Sequence, residues 1–296
     1  IMVAISRPSR RAQEAAMTYF FLGALAAATF LYGFALLYGA TGTIELTAMR
    51  DAFAEIKRAN GGSIGLVGTV GMILSILGIA YKIAAAPMHF YAADVYEGAA
   101  SPVTAFLGFV PKTAGMVALI LLLGTIGWGN PGTLEPGLPQ PILTTLWMIA
   151  VLTMTLGNIG ALLQRSVKRM LAYSSIAHSG YMVIGLIAGP TWGINAILFY
   201  LLAYGIMNTG AFAVLAGLER RGEEIEHTED LAGLRQRHPS MAWAMALCSG
   251  SLLGFPPLLG FVGKLYLFIA GVQAGQVPLV VIAGLNSAIS AWYYLR

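Results

Sequence analysis

Residues 78–115, GIAYKIAAAPMHFYAADVYEGAASPVTAFLGFVPKTAG, decide how the rest of the chain is read. Lys82 stands near the end of a long apolar run, and a turn containing Pro87, Asp94, Glu97 and Gly98 follows it. A second apolar run then carries Lys112. A lysine at the centre of a bilayer costs about 2.5–3.5 kcal/mol on insertion scales, which makes it a functional-site candidate. Two of them on neighbouring spans joined by a short turn point to a polar path inside an apolar bundle.

Composition supports a membrane setting. Hydrophobic residues make up 57% of the 296 residues and charged ones 10%, with a mean hydropathy of +0.74. These values exclude an ordinary soluble domain. No Asp, Glu, Lys or Arg occurs between Glu14 and Glu45, Arg58 and Lys82, Lys112 and Glu135, or Glu135 and Arg165. The same holds from Arg169 to Glu219, Arg237 to Lys264, and Lys264 to Arg296. Each gap holds a span of about 20 apolar residues, and the gap after Arg169 holds two. The expectation is an all-α polytopic membrane protein of about eight helices; long continuous runs are not the short alternating strands of a barrel. The chain opens with Ile1 and its last apolar run stops at Arg296. It is read as one transmembrane domain, residues 1–296, forming an internal piece of a longer protein.

The spans are expected near residues 15–40, 63–91, 102–126, 142–163, 170–189, 193–217 and 241–270, and from Pro278 to the end. Between them lie a polar loop at 41–62, a turn at 92–101 and a loop at 127–141 with Pro131, Pro136, Pro139 and Pro141. A basic loop holds Arg165, Lys168 and Arg169, and residues 218–240 form a polar loop. If the N-terminus is cytoplasmic, alternate loops place ten basic residues on the cytoplasmic face, including Arg7, Arg10 and Arg11. The other face has three: Arg50, Lys57 and Arg58. Eight crossings therefore satisfy the positive-inside rule, with 218–240 cytoplasmic. The formal charge of +4 serves this orientation rather than nucleic-acid binding. Cys248 is the only cysteine, so neither an internal disulfide nor an iron–sulfur motif is available.

Lys82, Lys112 and Lys264 are the ionisable groups set well inside apolar runs. Desolvation disfavours the ammonium relative to the neutral amine, so a lysine held there can trade a proton as its partners move. The plain alternative is snorkelling to an interface. No acidic residue falls inside an expected span: Glu14 sits at a helix start and the others in loops. Three ammoniums without a carboxylate would be costly, which calls for water and a counter-ion outside this sequence. Pro87 follows Lys82 by five residues, and Phe255-Pro256-Pro257 precedes Lys264. Proline breaks the helical ladder, and freed carbonyls at membrane depth must be buried in protein or face water. Two proline-interrupted spans, each with a lysine, match the pointer to a transport site; the alternative is a packing kink. Pro111 is a candidate third distortion.

His178 lies in Tyr173-Ser174-Ser175-Ile176-Ala177-His178. It could relay protons between the cytoplasmic surface and the lysines, or serve as a satisfied interhelical residue. His89 is a weaker candidate. Tyr204, Asn208 and Asn158 are expected to bond between helices. Gly65, Gly68 and Gly71 suit close packing; without a preceding strand they are no nucleotide fingerprint. The loop 218–240 is either a solvated face or a docking surface.

Three runs carry a resemblance. Residues 84–115, residues 165–182 (RSVKRMLAYSSIAHSGYM) and residues 252–268 (LLGFPPLLGFVGKLYLF) resemble, in that order, the subunit N family of NADH-quinone oxidoreductase, or respiratory complex I. Related antiporter-like subunits share the architecture but usually carry Asp-Ala-Met where this chain has Asp94-Val95-Tyr96. The resemblance implies part of an inverted-repeat bundle, about helices six to thirteen of fourteen, with two broken helices bearing Lys82 and Lys264. It implies that Lys82, Lys112 and Lys264 lie on a central proton path, with Lys168 and His178 toward the cytoplasm. It places the glutamate partner of Lys82 upstream of Ile1. Some relatives have a lysine where Thr18 stands, so a route through that lysine is not carried over.

The function expected is proton translocation in a bacterial inner membrane, coupled to quinone reduction elsewhere in the complex. NADH, FMN, iron–sulfur clusters and quinone are expected on other subunits, with no cofactor or metal on this chain. Partners would be the other membrane subunits, including paralogous antiporter-like ones, and the lipid bilayer. The alternatives are a subunit of a multisubunit cation/proton antiporter and a structural scaffold.

Overall fold

A backbone in hydrocarbon must satisfy its own N–H and C=O groups, and each apolar run does so as a helix. The computed structural model describes residues 2–5, 10–129, 137–220 and 225–295. Arg7, Pro131, Glu135, Pro136, Arg296 and residues 221–224 of the polar loop lie outside them. The helices are α1 (Met2–Ile5), α2 (Arg10–Thr41), α3 (Leu46–Ala59), α4 (Gly65–Lys82), α5 (Tyr91–Gly98), α6 (Ser101–Gly124) and α7 (Gln140–Leu162). They continue as α8 (Val167–Ala188), α9 (Pro190–Glu219), α10 (Leu234–Arg237), α11 (Pro239–Leu253), α12 (Leu259–Gln273) and α13 (Val277–Leu295).

Among the described residues, α2, α4, α6, α7, α8, α9 and α13 are each long and apolar enough to cross a membrane. The remaining expected crossing is divided. α11 and α12 have 15 residues each, about 22 Å at helical rise, short of a core of about 30 Å. Gly254, at φ 89°, closes α11 in the left-handed conformation that suits glycine. Pro256 and Pro257 then keep the helix from resuming until Leu259. The second interruption is at residues 83–90, between α4 and α5, and includes Pro87.

Three expectations are corrected. Residues 92–101 are not a turn, because helix resumes at Tyr91; the true break lies just before it. The 41–62 loop contains α3, whose Met49 and Phe53 are buried one turn apart while Arg50 and Arg58 face outward. Pro111 does not divide its helix: α6 runs unbroken from Ser101 to Gly124.

α8 is the axis of the bundle. Of its 22 residues, all but Arg169 and Tyr173 are buried. It packs along α7 and also meets α5, α9 and α12. Small residues permit this closeness: a Cβ on Gly157 would lie 2.5 Å from the Ala177 nitrogen. α12 is seated just as tightly, since a Cβ on Gly260 would lie 1.7 Å from the Ser251 carbonyl oxygen. That contact is backbone, so α12 itself must shift to relieve it. Gly260→Ala should therefore destabilise the protein by about 1–3 kcal/mol, read as a lower melting temperature in detergent. Gly284 has open space around it, and Gly284→Ala should leave the melting temperature unchanged or slightly raised.

Candidate functional site

Burying α8 on all sides also buries its hydroxyls and imidazole, and such groups need partners inside the protein. The neighbouring helices supply them. Lys112, on α6 and 1% exposed, donates to the Ser175 carbonyl and, at 2.8 Å, to Ser179 Oγ. Ser179 Oγ donates at 2.5 Å to the carbonyl of Ile83, the first residue of the α4–α5 break. The Ala86 N–H in the same break donates to Thr153 Oγ1 at 2.9 Å. Backbone groups released by the interruption are thus taken up by side chains of α7 and α8.

The second break works in the same way. Lys264, on α12 and 4% exposed, donates to the Leu253 carbonyl at 2.8 Å and to Ser287 Oγ at 2.9 Å. Leu253 is the last residue of α11, so its carbonyl has no helical donor ahead of it. Both buried ammoniums are therefore tied to backbone carbonyls and serines.

His178 lies between them. Its Nδ1 is 2.6 Å from the Tyr200 hydroxyl and its Nε2 is 3.3 Å from the Tyr294 hydroxyl. Tyr294 also bonds Ser174 Oγ. The His178 ring is 5.2 Å from that of Tyr204, whose face lies 5.5 Å from Lys112 Nζ. On the other side it is 5.9 Å from Tyr181, whose face lies 5.1 Å from Lys264 Nζ. Each ammonium faces the electron-rich face of one tyrosine beside the histidine. A cavity of about 630 Å³, lined by Glu229, Arg235, Tyr293 and Tyr294 among others, reaches from the polar loop to the tyrosine that bonds His178.

Lys168 has an acidic partner that the sequence reading did not supply. Its Nζ lies 2.7 Å from Glu219 Oε1, with side chains 6% and 19% exposed. Ser101 Oγ donates to the same carboxylate at 2.9 Å. Glu219 is the last residue of α9 and not a loop residue. Nearby, Arg169 pairs with Asp94 at 2.7 Å and Glu97 at 3.0 Å, and Arg11 pairs with Glu226 at 3.2 Å. A cavity of about 200 Å³ touches Lys168, Glu97 and Arg11, and one of about 320 Å³ touches Glu97, Glu14 and Thr18. In the loop beyond, N–H groups of His227 and Glu226 hold the Asp230 carboxyl below the usual carboxylate range.

Lys82 departs from the expectation. Its side chain is exposed at the end of α4, so it does not join the buried pair. Asn158 does bond between helices, reaching Asn286 at 3.2 Å and Tyr293 at 2.9 Å. Asn208 is buried, but its amide nitrogen finds no partner among the described residues. His89 is also buried, inside the α4–α5 break. Among the described residues, no group of three or more His, Cys, Asp or Glu is placed to hold a metal ion.

Seven long apolar helices among the described residues and two interrupted spans define a multi-pass helical membrane protein. Residues 1–290 match the model of the family described as "NADH:quinone oxidoreductase/Mrp antiporter, TM". The chain belongs to that family. NADH-quinone oxidoreductase subunit N of Trichlorobacter lovleyi is 44% identical over the whole of this chain and 58% of its own length. Subunit N of Granulibacter bethesdensis is 44% identical, with 60% of its length covered. The chain thus spans under two thirds of these curated relatives, and their shared name bears out the resemblance seen in the three sequence runs. Among solved structures, a chain of respiratory complex I from Thermus thermophilus, with bound aureothin, superposes with a TM-score of 0.81. It is 37% identical and covers 99% of this chain and 61% of its own. The Mrp complex from Dietzia sp. gives a TM-score of 0.85 at 27% identity, covering 98% of this chain and 51% of its own.

Removing one half of a buried ion pair strands the other charge, at a cost of about 3–5 kcal/mol. Glu219→Ala should lower thermal stability by that order, whereas Asp94→Ala, at a half-exposed pair, should cost about 0–1 kcal/mol. The double variant Lys168→Met/Glu219→Met should recover most of the Glu219→Ala loss in the same melting experiment.

Proposed function

We propose that this chain is the proton-conducting portion of a membrane subunit of NADH-quinone oxidoreductase. The observation that carries the reading is the pair of buried ammoniums, Lys264 held at a helix break and Lys112 linked to the other break through Ser179, both facing the tyrosines around His178. Quinone reduction elsewhere in the complex shifts charge in neighbouring subunits. Lys112 and Lys264 respond by exchanging protons through His178, its tyrosine and serine hydroxyls, and intervening water. Lys168, paired with Glu219 beside the small cavities, takes protons up from the cytoplasmic side. The exposed Lys82 is a surface ammonium for which the rest of the longer subunit supplies the carboxylate. NADH, FMN, iron–sulfur clusters and quinone belong to other subunits, and the neighbours in the membrane are paralogous antiporter-like subunits.

The likeness to the Mrp complex supports a second reading, cation/proton antiport on the same lysine pair. The two readings differ in what drives the flux. In the intact complex in sealed vesicles, Lys264→Ala should lower quinone-driven proton pumping about tenfold or more, the scale of losing a positioned proton carrier. Unchanged pumping removes Lys264 from the path. Sodium- or potassium-dependent proton flux without an electron donor favours antiport.

A further inference from the structure

At the end of the bundle opposite the α8 start, α3 joins α2 to α4 and lies against the C-terminal end of α6. A cavity of about 440 Å³ opens there between α3 and the α6 terminus, lined by Arg50, Lys57, Arg58, Ile126, Gly127 and Trp128 among others. Among the described residues its charged lining is basic. Asp51 and Glu55 share α3 but are not among the residues that line the pocket.

Two donors are buried in this wall. Lys57, only 8% exposed, donates to the Ile126 carbonyl. An ammonium carries three donors, and among the described residues no carboxylate pairs with this one. Trp128 is also 8% exposed, and its indole N–H has no hydrogen-bond partner among the described residues. A buried N–H without an acceptor is costly and unusual, so an acceptor beyond the described residues is the economical account. Two exposed guanidinium groups, Arg50 and Arg58, add charge that the positive-inside rule disfavours on this face.

We propose that this pocket seats the phosphate of an anionic phospholipid headgroup. The Trp128 N–H and the Lys57 ammonium donate to phosphate oxygens from the wall, and Arg50 and Arg58 close over it from solvent. Three positions favour a lipid over a free anion. An amphipathic helix at the end of the spans lies at headgroup depth. Trp128 is the residue type enriched at that level. Ile44 and Leu66, which flank α3, are 82% and 80% exposed and offer apolar surface to acyl chains. Burial pushes the Lys57 ammonium below the ordinary lysine range, and a bound phosphate would restore it.

The test is lipid retention by the full-length subunit in its native assembly. Vesicles of phosphatidylcholine with and without phosphatidylglycerol are compared, and bound lipid is counted by native mass spectrometry. Arg50→Gln/Arg58→Gln changes only exposed side chains, so folding is preserved. The native protein should retain phosphatidylglycerol over phosphatidylcholine, and the double variant should hold it about tenfold more weakly. Trp128→Phe should weaken retention by a smaller factor. Equal retention of both lipids, or no change in the double variant, overturns the proposal. Inorganic phosphate binding in detergent as tightly as phosphatidylglycerol does would make it a free-anion site and overturn the lipid assignment.

Discussion

The bundle depends on buried ammonium groups and broken helices satisfying one another, directly at Lys264 and through Ser179 at Lys112. A lysine buried in hydrocarbon without acceptors would not persist there, and a helix interrupted at membrane depth without donors would not either. Here each defect answers the other. Leu253 loses its helical donor at the α11 break and receives Lys264. Ile83 loses its own at the α4 break and receives Ser179, which in turn accepts from Lys112. The cost of each feature alone explains why the two occur together.

This pairing accounts for the course of α8. Serines and a histidine make it a poor lipid-facing helix, so it is enclosed, and its small residues allow the close approach. Enclosure then puts His178 within reach of Tyr200 and Tyr294 and between the two cation-facing tyrosines. At one end of the axis, Lys168 and Glu219 form a buried pair beside small cavities. Structure and proposed chemistry meet in a row of buried titratable groups, Lys112, His178 and Lys264, enclosed by the bundle.

The crossings were legible in the sequence because charge is expensive in lipid, so its absence marks the spans directly. The breaks were legible from Pro87 and Phe255-Pro256-Pro257, but not where helix resumes: Asp94, Glu97 and Gly98 read as a turn, while tertiary packing keeps Tyr91–Gly98 helical. α3 was hidden by its mixed charges, although Met49, Phe53 and Ile56 repeat at helical spacing and could have revealed it. The Lys168–Glu219 pair joins residues far apart in the chain. Its only local signal was that both stand at the open end of a hairpin turning at Gly189-Pro190. Lys82 shows the limit of such reading: an apolar run fixes depth in the membrane, not the direction in which a helix presents one residue.

The central claim is that Lys112 and Lys264 act on one proton path through α8. A double-mutant cycle of Lys112→Ala and Lys264→Ala, read as initial proton flux in sealed vesicles holding the intact assembly, addresses it most directly. Groups that act as one unit are strongly non-additive, so the double variant should lose no more flux than the worse single variant. Losses that multiply as independent factors, in an assembly that remains intact, would contradict a shared path.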